Sequence, residues 1–81
     1  MELKNWVIRD RKLVREFKFK DFKDAWRFTS HVANISEKVS HHPEILLEYG
    51  RVEIRLQSPD IHAVAQKDYL IAQEIDKIYG V

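Results

Sequence analysis

"KDFKDAWRFTSHVANISEKVSHHPEILLEYGRVEIRL", residues 20–56, changes its periodicity once, and that change decides the fold. Up to Val39, the residues Phe22, Ala25, Trp26, Thr29, Val32, Ala33, Ser36 and Val39 recur at i, i+3, i+4, i+7, the spacing of one helical face. Asp21 stands where a side chain can cap the first turn, and Asp24 adds favourable negative charge near the helix N-terminus. Pro43 disfavours helical geometry at His42, so the helix is expected to end near the histidine pair. From Ile45 the spacing becomes that of strands. Val52, Ile54 and Leu56 alternate with Arg51, Glu53 and Arg55, which predicts a hairpin with one buried and one wet face. Gly50 is the expected source of a permissive backbone in its turn.

The flanks complete the pattern. "WVIRDRKLVREFKF", residues 6–19, reads as two short strands around Arg9, Asp10 and Arg11. Leu13, Arg15, Phe17 and Phe19 share one face of the second strand, with Val14, Glu16 and Lys18 on the other. Pro59 breaks the last strand, and a second helix is expected from about Asp60 to Tyr79, stopped by Gly80. Its stripe is Ile61, Val64, Ala65, Asp68, Ile71, Ala72, Ile75 and Ile78, so one member is an acid. The order β-β-α-β-β-α implies an α+β fold, a four-stranded antiparallel sheet with two helices packed on one face. Phe28 and Ile35 lie partly off the first helix's stripe and predict a surface for a partner chain.

Eighty-one residues are read as a single domain, 1–81. A chain of this length buries only about 60% of its unfolded surface, and association is a common remedy. Cysteine is absent, which excludes disulfides and thiolate metal sites. Fourteen basic and 13 acidic residues are interspersed, giving +1, with no concentrated basic face for nucleic acid. The opening "MELKNWVIRD" has no apolar core of signal-peptide length and no run is long enough to span a membrane, so a cytoplasmic protein is expected.

Chemistry concentrates in "EKVSHHPE", residues 37–44, which holds two of the four histidines. Glu37 and His41 are four apart, neighbours on one face of a continuing helix, where a carboxylate can fix the orientation of an imidazole. Free histidine titrates near pH ~6.5 and so exchanges protons at neutral pH. The same residues also suit a plain helix end, because histidine interacts well with the negative end and proline is an ordinary stop. Adjacent helical residues point about 100° apart, so His41 and His42 are not expected to share a metal ion. Asp68 on an apolar stripe needs a hydrogen-bonding partner, either the neighbouring loop or the histidine site. His62 is expected on the surface in the second helix's first turn, while Trp6, Trp26 and the tyrosines are expected in the core or an interface.

Glu37, three residues, His41-His42-Pro43, five residues, Tyr49, and later Asp68 resemble the signature of the pterin-4a-carbinolamine dehydratases. The likeness extends through "FKDF" (19–22), "HHPE" (41–44), "VEIRL" (52–56) and "KDYLIA" (67–72), nearly the whole chain. The resemblance implies dehydration of a 4a-hydroxytetrahydropterin to the quinonoid dihydropterin, without metal or organic cofactor. It further implies the antiparallel four-stranded sheet with helices on one face, in a homodimer or homotetramer, with no nucleic acid and no membrane. His41 and His42 match catalytic positions. Glu37, His41, His42, Pro43, Ser58, Pro59, Asp60 and Asp68 form the implied substrate-binding set, with Glu37 and Asp68 as supporting acids and Glu37 positioning His41. The family's third histidine or tryptophan, ten residues after Tyr49, is replaced by Pro59, which cannot move a proton. His62 lies three residues further on, and slower turnover is implied. Members of the family also stabilise the dimer of a homeodomain transcription factor, so a dimerisation or regulatory module is the alternative. A related pterin step in molybdopterin metabolism is a third.

Overall fold

A computed structural model describes residues 3–80. Strands β1 (Val7–Arg9) and β2 (Lys12–Lys18) precede helix α1 (Phe22–Lys38). Strands β3 (Glu44–Glu48) and β4 (Arg51–Leu56) then lead to helix α2 (Gln66–Tyr79). All pairings are antiparallel and the sheet order is β1-β2-β4-β3, so the two hairpins meet through β2 and β4. Both helices pack on one face, over a core that includes Phe17, Val32, Ile54, Leu56 and Ile75. The α+β architecture read from the sequence is the one observed.

Local chemistry explains each element. β1 and β2 are joined by Asp10 and Arg11 alone, with φ of 52° and 64°, the two positive values of a type I′ turn. The Asp21 side chain accepts from the Asp24 N–H at 2.9 Å and caps α1. Gly80, at φ 102°, closes α2 in the left-handed region. Gly50 serves differently from the expectation, since its φ is not positive. A Cβ there would stand 2.9 Å from the Phe19 carbonyl oxygen, and the Phe19 N–H donates to the Gly50 carbonyl at 2.9 Å. Close backbone approach, not turn geometry, requires the glycine.

Three further expectations are corrected. α2 starts at Gln66, not near Asp60, because residues 58–63 form a turn closed by a Ser58–Ala63 bridge with His62 at φ 51°. α1 is rotated about its axis relative to the expected stripe: Phe28 is buried at 5% exposure, whereas Phe22 and Trp26 are 48% and 55% exposed. Apolar residues flank both sides of the stripe, and the aromatic cluster of Phe17, Phe19 and Tyr79 draws Phe28 inward. Glu53, expected on the wet face, is 5% exposed beneath Arg51, Arg55 and Arg9.

Arg15 reaches the inner face as expected and is buried there. Its guanidinium donates to Asp76 Oδ1 at 2.6 Å and lies 4.3 Å from the Phe17 ring centroid. Trp6 Nε1 donates to the same oxygen at 2.9 Å, so one carboxylate of α2 ties down both β2 and the chain leading into β1.

Candidate active site

The histidine pair sits where α1 is forced to turn back. Ser40 adopts φ 53°, the Ser40 N–H donates to the Glu37 carbonyl, and the His41 N–H donates to the Ser36 carbonyl at 3.0 Å. Those two bonds and one left-handed residue make a Schellman motif, here without its usual glycine. The left-handed residue breaks the 100° phase of the helix. His41 is therefore carried inward and is 7% exposed, while His42, the next residue, is exposed.

This geometry overturns the expected Glu37–His41 pair. Glu37 Oε1 lies 2.8 Å from His42 Nε2, and both side chains are largely in solvent. His41 Nε2 instead meets Asp68 Oδ1 at 2.5 Å. Asp68, the third residue of α2, is fully buried and carries three partners. Its Oδ2 accepts from the Ser58 hydroxyl at 2.8 Å and from the Ala65 N–H at 2.8 Å. Two donors occupy Oδ2, which leaves Oδ1 to meet His41 Nε2; an ionised Asp68 accepts there from Nε2–H, the tautomer that leaves Nδ1 for another partner. Asp68 thus fills both roles open in the sequence: it caps α2 and orients the histidine.

The other expected site residues divide. Ser58 is 1% exposed and joins the buried group through Asp68. Pro43 is half-buried just before β3. Pro59 and Asp60 lie exposed in the turn, as does His62, with the Asp60 carboxylate 3.9 Å from Lys67 Nζ. The site's core is thus His41, Asp68 and Ser58; Glu37 and His42 form a separate outer pair. Beside His41, a recess of about 230 Å³ is walled by Val39, Lys67, Leu70 and Ile71, none of which the sequence assigned to the site. The available signal was Leu70, an apolar residue on α2 outside the buried stripe. Among the described residues, no group of three or more histidine, aspartate or glutamate side chains is placed to hold a metal ion, and no helix is long and apolar enough to cross a membrane.

Comparison with known proteins identifies the family and the fold. The family described as pterin 4 alpha carbinolamine dehydratase matches residues 1–78. A protein of Alkaliphilus metalliredigens, provisionally named a pterin-4-alpha-carbinolamine dehydratase, is 42% identical over 88% of this chain. This chain spans 64% of that relative's length. A Vibrio vulnificus protein with the same provisional name is 37% identical over 96% of the chain and 74% of its own length. Among solved structures, a transcriptional coactivator/pterin dehydratase from Brucella melitensis superposes with a TM-score of 0.91 at 35% identity, covering 96% of this chain and 85% of that one. A pterin dehydratase-like protein identified as a RuBisCO assembly factor in the alpha-carboxysome shares the fold, with a TM-score of 0.76 at 21% identity over 93% of this chain and 87% of that one. A match across nearly the whole chain, on a scaffold that buries His41 against Asp68, means that this protein belongs to the pterin-4a-carbinolamine dehydratase family.

Proposed function

We propose that the protein dehydrates a 4a-hydroxytetrahydropterin to the quinonoid dihydropterin, with His41 as the acid–base residue. The observation that carries this reading is the buried His41–Asp68 contact at 2.5 Å, which fixes one ring nitrogen and leaves the other for the substrate. In the reaction the C4a–oxygen bond breaks, the leaving hydroxide takes a proton, and a ring nitrogen of the pterin gives one up. One proton enters and one leaves, so the enzyme ends in its starting state. His41 is positioned by Asp68, with Ser58 and the Ala65 N–H holding the carboxylate. His42, steadied by Glu37 on the solvent side, contacts the pterin and exchanges a proton with it. Pro43, Pro59 and Asp60 belong to the substrate-binding set by family resemblance alone. No metal or organic cofactor enters this reading, and the setting is cytoplasmic. Because Pro59 replaces a proton-carrying side chain, catalysis runs on fewer groups and is slower than in members that keep one. General acid or base assistance is worth about 10²–10⁴-fold for each group.

A second reading has its own observation. Phe22 and Trp26, one turn apart on α1, are about half exposed, an apolar stripe suited to a second copy of the chain or another protein. Self-association into a homodimer or homotetramer through this stripe is compatible with dehydration. A purely regulatory or dimerisation module is not.

The deciding experiment follows a freshly generated 4a-carbinolamine by ultraviolet absorbance with wild type, His41→Ala and His42→Ala. Acceleration over buffer that is abolished in His41→Ala and reduced in His42→Ala supports the dehydratase. A wild-type rate equal to buffer overturns it in favour of the module.

A further inference from the structure

We infer that the recess beside His41 receives the substituent carried on the pterin ring and that Lys67 makes it select an acidic one. The inference rests on the dehydratase reading, which places the pterin against His41. Val39, Leu70 and Ile71 wall the recess with carbon, and Val39 and Leu70 remain 54% and 47% exposed. Two large aliphatic side chains left in solvent next to a buried titratable group are costly unless something covers them. The recess, of about 230 Å³, has room for a short arm of a few carbons.

Among the described residues, Lys67 is the one lysine, arginine or acid lining this recess. Its ion partner is Asp60, at 3.9 Å on an exposed turn, a contact too long for a strong hydrogen bond and screened by water. The ammonium, on a flexible four-carbon stem, is thus free to meet an acid at the end of an arm whose carbons lie on Val39 and Leu70. The favoured ligand is a pterin whose side chain ends in a phosphate, with a carboxylate as the weaker equivalent.

Neopterin and neopterin 3′-monophosphate share ring and arm and differ only in the acid, so they isolate the claim. Their binding is followed by pterin fluorescence for wild type, Lys67→Gln and, as a control on overall charge, Lys77→Gln on the far end of α2. Wild type is expected to bind the phosphate about three- to tenfold more tightly, as a partly exposed charge pair supports. Lys67→Gln should remove that preference by weakening the phosphate's binding more than neopterin's, Lys77→Gln should keep it, and 1 M NaCl should erase it. Equal affinities in wild type, or a preference that survives Lys67→Gln, overturns the inference while leaving the pterin reading intact. Failure of both pterins to bind overturns the two together.

Discussion

Asp68 is a fully buried carboxylate with three partners, and each partner belongs to a different part of the chain. Replacing it by asparagine keeps the shape but removes the charge that holds the His41 proton at Nε2. Asp68→Asn should therefore lower kcat by about 10²-fold with KM little changed, because the residue acts through His41 and does not touch substrate. Ser58→Ala leaves the carboxylate ionised and deletes one of its donors. It should cost about 1–2 kcal/mol of stability, read by urea unfolding, with a smaller loss of kcat than Asp68→Asn. Equal effects of the two variants on kcat would mean that the hydroxyl, not the charge, sets the geometry.

At the level of elements, the decisive feature is the Schellman turn at the end of α1. Ser40 holds a left-handed backbone that costs a non-glycine residue roughly 1 kcal/mol. Ser40→Gly should raise the unfolding midpoint by the equivalent of about 0.5–1 kcal/mol and leave the His41 contacts in place, whereas Ser40→Val should lower it. Arg11, at φ 64° in the β1–β2 turn, behaves alike, and Arg11→Gly is expected to stabilise by a similar amount through a hairpin that plays no part in the site. A Ser40→Gly protein with higher stability but much lower activity would show that the strained residue itself serves catalysis.

Across the whole molecule, two charge systems hold the sheet from opposite sides. On the helix side, Asp76 is the shared acceptor for Arg15 and Trp6. Asp76→Ala leaves the buried Arg15 guanidinium without its counter-charge and should destabilise the fold by about 3 kcal/mol in chemical denaturation. On the open side, hydrogen bonding from Arg55 holds the Glu53 carboxyl below the usual glutamate range; Arg51 and Lys12 do the same for Glu16 and Glu44. Lowered values mean that the unfolded chain binds more protons in acid. The stabilisation is complete above the ordinary value of 4.5 and is lost as the pH falls through the folded values. Thermal unfolding from pH 7 to pH 3 should show that loss, and Glu53→Gln should flatten it. High salt should weaken the exposed Glu16 and Glu44 contributions first.

Periodicity and turn chemistry were enough to determine the order of elements, the antiparallel sheet, the Asp21 cap, the Gly80 stop and the presence of a buried acid at position 68, because each depends on residues close in the chain. The "HHP" stretch marked the end of α1 for the same reason, and the candidate site there was implied by the family resemblance. Which histidine faces inward was decided only in three dimensions, since a single left-handed residue at Ser40 changes the phase of everything after it. The pairing of His41 with Asp68 spans 27 residues of sequence and could not be read from a local pattern, and Glu37 was assigned to the wrong ring in its place. Likewise the sequence offered two apolar faces on α1, and the aromatic cluster contributed by β2 and α2 chose between them. Local spacing thus determined what the elements are, while packing between distant segments decided which side chains meet, because burial rewards contacts regardless of their separation along the chain.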